Sequence, residues 1–314
     1  MPSGVRVRVP PRAPSDTAAS PTQTWWTAFA RAPWCLKIVG WCSYGVAVAR
    51  DLSTVAAANT PRLQAESALW QGRSPEAVVF ARTVDASALG TAVKAHKLDL
   101  FDRLGELVCA REVSAANPSR DPARTAEDTY AAEQGRHYPM RTAFEDHRDG
   151  GRQFVYFALL LEGLAPPDYG DYTLIVDPAR CTVSALACFP GNTAERYAPT
   201  GTLQVTACEA EASAWADRGR MLVCKHASST LPPESSWAAI VCSASDFSEG
   251  VVGGAIPVSA VVQIRIDALH LRDWSRLRIR FLNREPLTAE QEQRVRMLEL
   301  VERWRDDGAA IVGI

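Results

Sequence analysis

Four short patterns in the 314-residue sequence carry residue types that could do chemistry. His147-Arg148-Asp149 has the order of a kinase catalytic loop, but no G-x-G-x-x-G precedes it, no D-F-G follows and the expected Asn is missing, so kinase chemistry is set aside. Gly253-Gly254 lacks the Gly-Lys-Ser/Thr continuation of a phosphate loop. Cys224-Lys225-His226 offers two metal ligands, or a thiol with its base, on one side of a strand. Two ligands do not make a metal site, even with Cys188 or Cys208 as distant partners, and neighbours on one strand set a base poorly over a thiol. The expected reading is a strand with a buried Cys and a terminal His; no metal is expected, and a Cys-His hydrolase stays as an alternative. In SRLRIRFLNR, read as a strand, Arg276, Arg278 and Arg280 fall on one face and Leu277, Ile279 and Phe281 on the other. That face is expected to be solvated beside acidic neighbours, with phosphate of a nucleic acid or dinucleotide as the functional alternative.

A longer constellation begins at Asp168, DYGDYTLIVDPARCTVSALACFPGNTAERYA, and is followed some fifty residues on by SDFSEGVVGGAIPVSAVVQIRI. It holds three pieces in order: Tyr169-Gly170 with the run Tyr172 to Pro178, the turn Gly191-Asn192-Thr193, and Phe247-Ser248-Glu249 with Ala255-Ile256-Pro257. Over about residues 130 to 270 this resembles the mono-ADP-ribosyltransferase-like superfamily, in a bacterial toxin or defence branch. The resemblance implies an α+β fold with a split, mainly antiparallel sheet. It also implies NAD as substrate, with ADP-ribose passed to a macromolecular acceptor or the NAD hydrolysed.

Breaking the glycosidic bond of NAD develops positive charge on the ribose, which a carboxylate stabilises. The resemblance puts Glu249 in that role, with Phe247 and Val251 on its side of the strand as an apolar wall. It also calls for a cation to hold the cofactor, and GRHYPMR supplies His137 and Arg141. Tyr197 is the ring available to stack on nicotinamide. Thr182 and Ser184 stand only loosely where the family carries an S-T-S strand. The alternative to an enzyme is a non-catalytic interaction module of the same fold, engaging nucleic acid or a protein through the arginine face.

Elements must bring these groups together. Apolar spacing predicts a mainly helical region over 25–165: a helix from Asp85 or Ser87 through Val108, one over Thr125 to Gly135, and a buried one from Gln153 to Leu164. It is interrupted by a β-like run, Ala77 to Arg82, and a polar loop at 112–124. From 166 to 314 the reading is sheet-rich, with strands at Tyr172 to Val176, Val183 to Cys188, Leu203 to Ala207, Met221 to Lys225, Ala239 to Cys242, Phe247 to Val252, Val261 to Ile266 and Leu277 to Leu282. A short helix is inserted at 209–218. Thr288 with Gln291 forms a capping-box pattern ahead of the stripe Val295, Leu298, Val301 and Trp304, and Gly308 stops that helix before a terminal strand. The two regions are taken as separate, or as one continuous domain over 66–314.

The composition, 47% hydrophobic and 22% charged, with Gly 19 and Pro 20, is that of an ordinary globular chain and excludes collagen, coiled-coil rods and wholesale disorder. Lys+Arg 34 against Asp+Glu 36 gives a net charge of -2, so any nucleic-acid contact must be a local patch. The 8 cysteines lack C-x-x-C spacing and read as reduced core thiols. Residues 1–24 read as a disordered arm, and the string VRVPPRAP in it resembles a translated transfer-RNA gene end, which suggests a mobile element and an antitoxin or other element-encoded partner. No run is long enough to span a membrane, and the apolar stretch at 34–49 carries Lys37 and starts too late for a secretory signal, so a cytoplasmic protein without membrane contact is expected.

Overall fold

One sheet organises the chain, and strands from both halves of the sequence alternate within it. The structure, a computed structural model, describes residues 51–117, 120–161, 170–226, 231–243, 247–266 and 268–313. They belong to one compact unit that starts at Val48. The expected arm at 1–24, the apolar stretch at 34–49, Cys35, Cys42 and Tyr169 lie outside the described residues.

The first half contains α1 (Leu52–Ala58), α2 (Thr60–Gln71), α3 (Pro75–Asp85), β1 (Ala88–Val93), α4 (Ala95–Leu104) and β2 (Glu106–Leu107). It continues through α5 (Ala110–Ala116), α6 (Ala126–Gln134), α7 (Tyr138–Glu145) and β3 (Val155–Leu160). The second half contains β4 (Tyr172–Val176), β5 (Thr182–Phe189), α8 (Thr193–Tyr197), α9 (Val205–Glu211), α10 (Arg218–His226) and α11 (Trp237–Val241). After these come β6 (Glu249–Pro257), β7 (Val261–Ile266), α12 (Ala268–Leu282), α13 (Ala289–Asp306) and β8 (Ala310–Gly313).

The sheet has 8 strands in the order β2-β6-β3-β1-β4-β7-β8, with β5 also paired to β6. Every pairing is antiparallel except β7 with β8. The fold is therefore α+β with a mostly antiparallel sheet. Because β1 and β3 lie between β6 and β4, residue 165 is not a boundary between a helical and a sheet region. Helices cover both faces. On one face Phe80, Leu98, Leu222, Trp274 and Val301 pack with the strands; on the other, Leu52, Phe144, Phe189, Tyr197 and Cys208 form a second cluster. The apolar side chains of β3 divide between the two, with Phe157 on the first face and Tyr156 on the second.

Several expected elements differ. Gln153 to Leu164 contributes β3 instead of a helix, since an apolar run buried on both sides carries no periodicity to separate the two. Ala77 to Arg82 lies in α3, where the Ser74 hydroxyl caps the helix and Pro75 occupies its first turn. The helix expected to reach Val108 breaks into β1, α4 and β2, and Gly105 at φ 74 ends α4. The loop expected from 112 begins within α5. Four expected strands, at 203–207, 221–225, 239–242 and 277–282, fall on α9, α10, α11 and α12. Each is four to six residues of mixed apolar and β-branched type, too short for alternation to outweigh helical burial such as Trp274 and Leu277 provide. The strands at β4 and β7 coincide with the sequence reading, as do α6 and the capping box of α13.

Candidate functional site

Glu249 is the first residue of β6, and the sheet encloses it: it pairs with Ala158 of β3 and with Phe189 of β5. At its neighbour Gly250 a Cβ would lie 2.4 Å from Leu89 Cδ2 on the opposite face, so a larger residue there would force the Leu89 side chain to shift. Val251, two residues along and on the same side as Glu249, is fully buried among Phe144, Phe154 and Phe189. The acid itself is 1% exposed, so its charge must be met inside the protein.

Three groups meet it. Thr193, at the start of α8, donates both its backbone N–H (2.8 Å) and its hydroxyl (2.5 Å) to Glu249 Oε2. Arg141, on α7, sets Nη2 3.2 Å from Oε1 and Nη1 3.4 Å from Oε2. The same guanidinium donates to the Thr193 hydroxyl at 3.0 Å and reaches Asn192 Oδ1 at 3.5 Å. Burial pulls the Arg141 pKa down, but the Glu249 carboxylate and then Tyr156 outweigh it, and the guanidinium is held above its ordinary value. Its Cζ sits 3.8 Å from the centre of the Tyr156 ring.

A second buried acid adjoins this cluster. Glu145, at the end of α7 and 3% exposed, accepts from Arg111 Nε (3.1 Å) and Nη2 (2.8 Å) at Oε2, and from the hydroxyls of Tyr130 (3.2 Å) and Tyr156 (3.3 Å) at Oε1. Burial pushes the Glu145 carboxyl above its ordinary value, against the opposing pull of Arg111 and Arg141. Arg111 also pairs with Glu127 and lies 4.5 Å over the Tyr130 ring.

Of the residues singled out from the sequence, the structure brings Glu249 and Arg141 together. His137 instead places Nδ1 3.3 Å from Glu195 Oε1 and accepts from Arg136 at Nε2. Tyr197 is 1% exposed, stacks edge-on against Phe189 at 5.8 Å and donates its hydroxyl to Glu211 at 2.7 Å, so neither ring face is open to a ligand. Thr182 and Ser184 lie on exposed residues of β5, whereas it is Thr193 that holds the acid. Thr193 and Asn192 belong to a turn visible in the sequence; Tyr156, Glu145 and Arg111 carried no signal there.

The arginine face does not form. On α12, residues two apart project about 200° from each other, so Arg278 leaves the helix opposite Arg276 and Arg280. Arg278 pairs with Glu302 and Arg280 with Glu285, while Arg276 is exposed. The same geometry on α10 turns Cys224 and His226 away from each other. Burial pushes the Cys224 thiol up to about 11, and His226 meets Phe80 edge-on at 5.9 Å. Neither feature fits a thiol nucleophile and its base. All 6 described cysteines are free, and Cys109, Cys188, Cys208 and Cys242 are buried. Among the described residues, no group of three His, Cys, Asp or Glu is placed to hold a metal, and no helix is long and apolar enough to cross a membrane.

Two surface grooves open elsewhere. One, of about 540 Å³, is lined by Lys94, His96, Asp171 and Gln293 among others; the second, of about 570 Å³, runs along 145–153 beside Arg148. Neither is lined by Glu249 or Arg141. Compared with known proteins, the chain matches no family model and no curated relative.

Proposed function

We propose that the chain cleaves the nicotinamide glycosidic bond of NAD at Glu249, passing ADP-ribose to a macromolecular acceptor or to water, in a bacterial toxin or defence role. One observation carries this reading. Arg141 and Glu249 are 108 residues apart, were singled out through the family resemblance, Glu249 as the acid and Arg141 beside His137 as the cation, and stand 3.2 Å from each other in a buried cluster. The chemistry needs an anion beside the ribose as positive charge develops, and a carboxylate surrounded by Val251, Phe189 and Tyr156 acts more strongly than one in water. Thr193 fixes Oε2 with two donors, which leaves Oε1 as the oxygen to receive a ribose hydroxyl. Arg141 now holds Oε1. Substrate entry therefore requires the guanidinium to exchange the carboxylate for the diphosphate of NAD, one anion for another.

The test is nicotinamide release from NAD, with a cell lysate supplying acceptors. Wild-type protein should release nicotinamide, and Glu249→Gln, which keeps the size but not the charge, should lower the rate by about a hundredfold or more, the scale of one lost transition-state electrostatic contact. Equal inertness of both proteins ends the enzyme reading.

A specific observation favours a second reading. Both oxygens of Glu249 are satisfied within the protein, its exposure is 1%, and neither of the two grooves described is lined by it. On that basis the cluster is an internal strut of a non-catalytic interaction module. The strut reading expects Glu249→Gln to alter stability while no NAD-dependent activity exists to be lost.

A further inference from the structure

We infer that Tyr156 is the positioning residue of the Glu249 cluster: its ring holds the Arg141 guanidinium against the acid, and Glu145 holds the ring. The effect of this on catalysis rests on the NAD reading above; the placement itself does not.

Arg141 stands near two buried carboxylates, Glu249 and Glu145, and a guanidinium between two acids is drawn to both. Its position is decided by what already occupies each acid. Glu145 is filled: Arg111 takes Oε2 with two donors, and the hydroxyls of Tyr130 and Tyr156 take Oε1. Glu249 has only the two donors of Thr193, both on Oε2, so Oε1 is left for Arg141. Tyr156 enforces this choice twice. Its hydroxyl helps saturate Glu145, and its ring face, 3.8 Å from Arg141 Cζ, gives the cation a surface to rest on beside Glu249. The register of the sheet fixes the ring, since Tyr156 of β3 pairs with Val251 of β6, two residues from Glu249 and on the same face. A parallel stack, Arg111 over Tyr130, feeds the same Glu145 oxygen, so two arginine–tyrosine stacks share one carboxylate.

The experiment compares wild type, Tyr156→Phe and Tyr156→Leu, each checked for cooperative thermal unfolding. Phenylglyoxal modifies accessible guanidinium groups, and peptide mass spectrometry reads its rate at Arg141. Wild type should protect Arg141, Tyr156→Phe, which keeps the ring but loses the hydroxyl's bond to Glu145, should protect it less, and Tyr156→Leu should raise its modification rate by about tenfold, the ratio that one cation–ring contact supplies. Should Tyr156→Leu fail to fold, Tyr156→Met fills more of the ring's volume and carries the same comparison. Arg141 equally protected in a folded variant without the ring overturns the inference. Nicotinamide release supplies a second arm. If wild type is active, loss of the ring should raise KM for NAD more than it lowers kcat, with Tyr156→Phe between wild type and Tyr156→Leu; an unchanged KM overturns the positioning role. If wild type is inert while Arg141 still loosens without the ring, the placement stands and the NAD reading alone falls.

Discussion

At the scale of single residues, Arg141 and Glu249 form an ion pair whose members are 12% and 1% exposed, which makes removal of one partner costly. Glu249→Ala should destabilise the protein by about 3–5 kcal/mol, because it leaves a guanidinium buried without its counter-charge. The double replacement Arg141→Met with Glu249→Leu should cost clearly less than the sum of the single changes. Urea unfolding of wild type, Glu249→Ala, Arg141→Met, Glu249→Leu and the double replacement measures both, and simple additivity would show that the pair is not coupled. Glu145 gives a pH signature. Burial raises its folded-state pKa above the ordinary value of 4.5, so the folded protein holds that proton more tightly than the unfolded chain. Its contribution to stability is therefore present below about pH 4.5 and is lost as the pH rises through the folded-state value. Glu145→Gln should flatten that part of the curve of unfolding free energy against pH; an unchanged slope would place the titration elsewhere. The family resemblance pointed to Glu249 and offered both Arg141 and His137 as its cation. It misplaced Tyr197, since an aromatic ring suited to stacking on a ligand is equally suited to packing on Phe189.

At the scale of elements, the helices read correctly, α6 and α13, carry a signal independent of hydrophobic pattern. The N-terminus of α13 is the clearest: the Thr288 hydroxyl accepts from the Gln291 N–H at 3.2 Å, and the Gln291 side chain accepts from the Thr288 N–H at 3.0 Å. Thr288→Ala should cost about 1 kcal/mol and lower the midpoint of thermal unfolding. The cost should be real because α13 buries Val295, Leu298, Val301 and Trp304, and a frayed first turn loosens that stripe. A melt identical to wild type would mean that packing alone sets the helix start. The same class of signal stood at Ser74-Pro75-Glu76 ahead of α3, where β-branched Val78 and Val79 pointed to a strand. At α12 the alternation of Arg with Leu, Ile and Phe looked two-fold, while the three-residue spacing of Trp274 and Leu277, both buried, was the pattern that folding used. For β3, no local feature distinguishes a strand from a helix, and only its neighbours β6 and β1 decide.

At the scale of the whole molecule, strand order is the property least visible in the sequence, because it depends on pairings between distant segments. A fragment spanning 166–314 lacks β1 and β3, which separate β6 from β4. Expressed alone, it should show no cooperative thermal transition, whereas a sharp transition would restore the division of the chain near residue 165. The interleaving also governs when the cluster around Glu249 comes into being. Arg141 and Thr193 are 52 residues apart, Thr193 and Glu249 are 56 apart, and each sits on a different element. A growing chain carries all three groups only once Glu249 has been made, so the arrangement cannot begin to assemble until most of the chain is present. Proteolytic nicking between any two of the three segments would then dismantle the cluster wherever the severed pieces drift apart.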